Sequence, residues 1–211
     1  YVSAEDEGAL NVFDLAAKKL VKSVPIGKEP EGVKVAPDGR RVYVTSEVAN
    51  MVHVVDTSNY QVLKNIQVGK RPRRFAFNAD GSELWVSNEL GASVSIISTK
   101  DLNVIATLPF EVKGMRADDI SPVGIELSRD GKTIFTTAQD IGQRSLFAIS
   151  AATGKVRTLV GQGDNTAPAV AGDRVVFLHN HLRSPNELRA VKQTGGTSKP
   201  LTSERHLRPS G

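Results

Sequence analysis

The sequence predicts an all-β chain assembled from successive four-stranded units, and three observations carry that reading. A short motif recurs at a fixed interval: Tyr1-Val2-Ser3-Ala4-Glu5, Tyr43-Val44-Thr45-Ser46-Glu47 and Trp85-Val86-Ser87-Asn88-Glu89, with 42 residues from each glutamate to the next. A constant period in this range marks stacked copies of one supersecondary unit. Within a period, apolar and polar residues alternate in short runs, as half-buried strands require. The runs are separated by turn formers, and Asp38-Gly39, Asp80-Gly81 and Asp130-Gly131 hold the same place in successive copies.

The clearest copy opens at Gly32. Gly32-Val33-Lys34-Val35-Ala36 reads as the first strand, and Pro37-Asp38-Gly39 as its turn, since Pro presets φ and Gly tolerates positive φ. Val42 to Ser46 is the second strand, Val52 to Asp56 the third and Val62 to Val68 the fourth. Four short antiparallel strands per unit of about forty residues form the blade of a β-propeller. The prediction is one β-propeller domain over 1–211 with about five four-stranded blades: 1–27, 28–69, 70–116, 117–163 and 164–203.

Two places break the rhythm. The interval from Asp80 to Asp130 is 50 rather than 42, which puts about eight extra residues in the segment Glu111 to Ile120. The first copy starts at its second strand, so it lacks an innermost one. The C-terminal segment 204–211, ending Pro209-Ser210-Gly211, is the candidate closing strand, although Leu207 is its one large apolar residue. A longer propeller cut short is the competing arrangement.

Composition narrows the function classes. Hydrophobic residues make up 39% and charged residues 24%, an ordinary globular balance. No apolar run approaches the length of a membrane span. With no cysteine, disulfides and thiolate metal sites are excluded. The net charge of +4 is scattered except at Lys70-Arg71-Pro72-Arg73-Arg74, and no nucleic-acid reading motif accompanies it. The chain begins at Tyr1 rather than Met, which is consistent with a removed signal peptide and a periplasmic or secreted location, or with trimming.

The motifs carry family resemblances. Tyr1-Val2-Ser3, Tyr43-Val44-Thr45 and Trp85-Val86-Ser87, with their Pro-Asp-Gly-like turns, resemble YVTN-repeat β-propellers. Glu29-Pro30-Glu31-Gly32, Arg71-Pro72-Arg73 and Ser121-Pro122-Val123-Gly124 resemble, more narrowly, the propellers associated with pyrroloquinoline-quinone-dependent alcohol catabolism, over residues 1–138. Over 139–202, Ser145-Leu146-Phe147-Ala148-Ile149 and Gly195-Gly196-Thr197 are similar to the propeller domain of prolyl oligopeptidase-family peptidases. The first resemblance implies a periplasmic accessory role in quinoprotein-linked oxidation. The second implies a gating propeller, whose hydrolase domain this chain does not contain. A chain of both kinds reads as chimeric, either a natural mosaic or an engineered scaffold.

Candidate functional residues fall in three groups. Lys70, Arg71, Arg73 and Arg74 break the repeat, because the preceding copy has Lys28-Glu29-Pro30-Glu31-Gly32 there. Standing just before an innermost strand, Arg73 and Arg74 are placed to face Glu31 across the channel mouth, or to bind a protein or a small anionic ligand. Glu5, Glu47 and Glu89 form a ring of carboxylates on one rim, suited to a cation or basic partner. The plainer reading has each bonded to its own loop and steadying the junction between blades. His179 and His181 alternate across Asn180 and share a strand face, but no third metal ligand stands at a predictable place; His53 and His206 are isolated.

No nucleophile elbow, P-loop or dinucleotide fingerprint is present. The expectation is therefore a non-catalytic binding module with neither cofactor nor metal. A lyase- or lactonase-like propeller enzyme is the alternative, and would need His or carboxylate groups converging in the channel.

Overall fold

The computed structural model describes residues 1–111, 116, 120–140, 142–181 and 184–202, the side chains at 140 and 184 apart. Much of the predicted insert (112–115 and 117–119), the predicted closing segment 204–211 and His206 lie outside the described residues.

The strands follow the repeat. β1 (Val2–Ala4), β2 (Ala9–Asp14) and β3 (Lys19–Pro25) form a three-stranded antiparallel sheet. β4 (Pro30–Val35), β5 (Arg41–Ser46), β6 (Met51–Asp56) and β7 (Val62–Gln67) form a four-stranded one. β8 (Pro72–Phe77), β9 (Glu83–Asn88), β10 (Ser93–Ser98) and β11 (Asn103–Pro109) form the next. β12 (Gly124–Leu127), β13 (Thr133–Asp140), β14 (Gln143–Ser150) and β15 (Val156–Val160) pair in the same order. They run on into β16 (Asp164–Ala171), β17 (Arg174–His181), β18 (Ser184–Lys192) and β19 (Lys199–Pro200) through one parallel pairing, Arg144 with Asp164.

Turn chemistry explains why the strands start and stop where they do. Asp38, Asp80 and Asp130 each accept an N–H bond from the residue two positions on, at 3.0, 3.0 and 3.1 Å. Gly39, Gly81 and Gly131 follow with φ of 72°, 74° and 68°, a left-handed turn that disfavours side chains.

The core lies between sheets, since middle strands such as β5, β6, β9 and β10 bury both faces. Val42 and Val44 point back to Leu10, Val24 and Ile26, while Tyr43, one residue out of phase, packs forward with Phe75, Leu84 and Val86. Trp85, Val94 and Ile96 then meet Ile125, Leu127 and Ile134, and Phe135 and Leu146 meet Val175 and Phe177. The two-residue strand period thus couples each sheet to both neighbours. Outermost β3 and β7 are exposed along most of their length.

A hydroxyl joins successive sheets at one repeated position. Ser3 Oγ donates to the carbonyl of Glu31 at 2.9 Å, Thr45 Oγ1 to that of Arg73 at 3.2 Å, and Ser87 Oγ to that of Val123 at 3.0 Å. Innermost strands β4, β8, β12 and β16 consequently contact one another in succession.

Candidate functional site

Those four innermost strands line a central cavity of about 420 Å³. Four of its lining side chains are charged: Lys34 on β4, Arg74 on β8, Glu126 on β12 and Arg144 on β14. Lys34 makes no ion pair among the described residues, whereas Arg74 Nη2 lies 2.9 Å from Glu31 Oε1 and Arg144 Nε 3.4 Å from Asp164 Oδ1. Burial pushes the Glu126 carboxyl above its usual value, and the nearby Lys34 ammonium opposes that rise. The innermost strands therefore do carry a carboxylate facing a cation. Sequence reading missed this pair because Lys34 and Glu126 are distant in the chain and meet only when the strands gather around one axis.

The position of Arg74 is unusual within the repeat. Its counterparts are Gly32 and Gly124, which line the same cavity. At Gly32 a side chain is excluded: a Cβ would stand 2.0 Å from the carbonyl oxygen of Arg73. One guanidinium is thus introduced at a level where neighbouring strands present bare backbone.

Above the cavity, three carboxylates and three guanidiniums form a mixed-charge network. Arg71 Nε lies 2.7 Å from Glu47 Oε2 and 3.1 Å from Glu89 Oε2. Arg73 pairs through Nη1 with Glu47 Oε1, lies 3.6 Å from Glu89 Oε2, and reaches Glu31 Oε1 through Nη2 at 3.4 Å. Glu47 is the buried centre, its side chain 4% exposed, while those of Arg71 and Arg74 are 43% and 49% exposed. The Glu47 carboxylate holds the already very basic Arg71 guanidinium still higher, with Glu89 adding to the effect.

Backbone geometry aims this network. Arg71 takes a left-handed φ of 53°, as Glu29 does at 52° one repeat earlier. Its N–H donates to Asn50 Oδ1 at 2.8 Å, and its carbonyl accepts the Glu89 N–H at 2.9 Å. The structure places Arg73 and Arg74 against Glu31, the facing geometry read from the sequence. It does not keep the glutamates on their own loops: the side chains of Glu47 and Glu89 reach guanidiniums of the segment Arg71 to Arg73. Glu5 is exposed and joins the network through no described ion pair; its carbonyl accepts the Gly8 N–H at 3.2 Å. Lys70 is exposed and likewise stands outside the described ion pairs.

Burial lowers the proton affinity of two histidines, His53 and His179. His53 is buried, with Nδ1 2.8 Å from Asn65 Oδ1, and burial lowers its proton affinity despite that bond. His179 and His181 share one face of β17, with ring centroids 5.8 Å apart. Among the described residues, no cluster of three or more His, Asp or Glu side chains is arranged to hold a metal. Nor, among the described residues, is any helix long and apolar enough to cross a membrane.

Comparison with known proteins agrees with this architecture. Residues 1–78 match the YNCE-like beta-propeller family, and residues 59–163 the 7-bladed beta-propeller lactonase family. The fold is a β-propeller. Among solved structures, hydrazine synthase of Kuenenia stuttgartiensis superposes with a TM-score of 0.74 at 21% identity, over 93% of this chain and 60% of that one. Dihydro-heme d1 dehydrogenase NirN in complex with DHE gives 0.69 at 18% identity, over 94% and 43%. A provisionally named 6-phosphogluconolactonase from Bacteroides uniformis gives 0.59 at 16%, over 82% and 53%. This propeller chain thus spans between 43% and 60% of the length of these proteins, and the likeness is one of fold. No curated protein matches it.

Proposed function

We propose that this propeller is a non-catalytic binding module that holds a small organic anion in its central cavity. The observation that carries the reading is Arg74, a guanidinium at a position where the repeat has glycine, in a cavity also lined by the Lys34 ammonium. A planar guanidinium and a compact ammonium at one concave surface suit a carboxylate, the first for directed bonding and the second for charge. Glu31 already holds one edge of Arg74, so a ligand competes with that ion pair or extends it. A ring of about five blades, an exported location and an accessory role in quinoprotein-linked oxidation accord with this reading and with the motifs of residues 1–138.

Titration calorimetry against a panel of mono- and dicarboxylates tests it. The expectation is saturable binding that weakens at least tenfold in Arg74→Gly and again in Lys34→Gln. The glycine variant restores the repeat's own residue, so its fold should be retained. Carboxylates that bind the two variants as they bind the parent would remove the reading.

A second reading rests on the lactonase-family match over residues 59–163 together with Glu126, a half-buried carboxyl of raised proton affinity lining the cavity. In that case Glu126 serves as the general base or acid for opening a cyclic ester. Proton release from a panel of lactones, abolished in Glu126→Gln, would favour it over the binding module.

A further inference from the structure

We propose a second small-molecule site at the C-terminal end of β17, distinct from the central cavity, that takes a 2-hydroxycarboxylate. It starts from a fixed tautomer. Asn165 is fully buried, and its Nδ2 donates to the carbonyls of Arg144 at 2.7 Å and Gln162 at 3.1 Å. Two carbonyl acceptors settle which end of the amide is nitrogen, so the atom 2.8 Å from His179 Nδ1 is its oxygen. His179 therefore donates from Nδ1, and in the neutral ring Nε2 keeps its lone pair. Gly163, at φ 79°, lies against this imidazole; a Cβ there would stand 2.4 Å from Cε1, so the close approach requires glycine.

Beside this ring is a cavity of about 400 Å³, lined also by His181, Gln162, Arg189 and Ser198. Arg189 is braced as firmly as the imidazole: Nε donates to Ser198 Oγ at 3.3 Å and Nη2 to the Ser198 carbonyl at 3.1 Å. Its Nη1 forms an ion pair with Glu187 Oε2 at 3.6 Å, beyond hydrogen-bond length, so a ligand carboxylate shares the guanidinium with Glu187. The site thus combines one directed acceptor with one fixed positive charge.

That combination selects a ligand class. A divalent cation at His179 and His181 would meet the field of Arg189, which, after burial, is the next cause holding His179 below the usual imidazole range. A simple carboxylate satisfies Arg189 but turns an oxygen lone pair toward Nε2. A hydroxyl on the carbon next to the carboxylate supplies the missing donor, and His179 and Arg189 line the same cavity.

The test compares malate with succinate, which differ by that one hydroxyl, by calorimetry on the Arg74→Gly, Lys34→Gln protein. Removing both central cations separates this site from the central one, so either can fail alone. Malate should bind about tenfold more tightly than succinate, Arg189→Gln should weaken both acids, and His179→Phe should bring malate down to the level of succinate. Equal binding of the two acids, no binding of either, or an Arg189→Gln protein that binds both as before would overturn the proposal. Zinc binding that requires His179 and His181 would overturn it in favour of a metal site. Should His179→Phe not fold, the malate-to-succinate ratio and Arg189→Gln decide.

Discussion

The hydroxyl of Thr45 donates to the carbonyl of Arg73, one sheet further along, while accepting the N–H of Gly32 at 2.7 Å. One fully buried side chain therefore ties together three strands: its own, the innermost strand of its sheet and that of the next. Thr45→Val keeps the shape and strand preference but leaves a buried N–H and a buried carbonyl without this partner. It should destabilise the fold by about 1–3 kcal/mol in urea unfolding. Ser3→Ala, in a more exposed setting, should cost less.

Glu47 balances two guanidiniums from a nearly buried position. Glu47→Gln retains a hydrogen-bond acceptor and removes the charge, so Arg71 and Arg73 are left facing each other with Glu89 and Glu31. Both arginines reach solvent, which moderates the penalty to about 1–3 kcal/mol. A double-mutant cycle with Arg71→Gln should show coupling, and additive losses would place the stabilisation elsewhere.

Acid should weaken the fold before the ordinary carboxylates titrate. The folded-state proton affinity of His53 lies below its unfolded value of 6.5, so the unfolded chain takes up the proton first. Its contribution is complete above that value and is lost as pH falls toward the lower folded one; His179 acts in the same direction. Stability measured from pH 7.5 to 5.5 should decline, and His53→Gln should flatten part of the decline. Asp56, Asp80 and Asp130, lowered by the hydroxyl and N–H donors of their turns, extend the loss below pH 4.

Glu126 has the opposite sign. A folded-state value above the ordinary carboxyl range means that its contribution is full at low pH and is lost as pH rises through the elevated value. Glu126→Gln should match the parent near pH 4 and exceed it in stability at pH 8. The same change removes the negative charge facing Lys34, so carboxylate binding in the cavity should strengthen, and its pH dependence should diminish.

The strands and turns were legible in the sequence because their causes are local. The Asp38, Asp80 and Asp130 turns and the alternation of Val42, Tyr43 and Val44 need only a few residues of context. The approach of Arg73 and Arg74 to Glu31 could be anticipated, since all three stand at the start of an innermost strand, about one repeat apart. Lys34 with Glu126 could not, because their meeting depends on how several strands converge on an axis. Nor could the direction of Glu47, which turns to the next sheet because the left-handed backbone at Arg71 brings the guanidinium within its reach.

The repeated hydroxyl joint has one more consequence. Its acceptors at 31, 73 and 123 are main-chain carbonyls, an atom that every amino acid supplies, so the joint places no demand on the side chains there. Glutamate, arginine and valine occupy these places in turn without loosening the assembly. The scaffold thereby leaves a set of interchangeable sockets around its mouth, where new recognition chemistry can be installed one residue at a time.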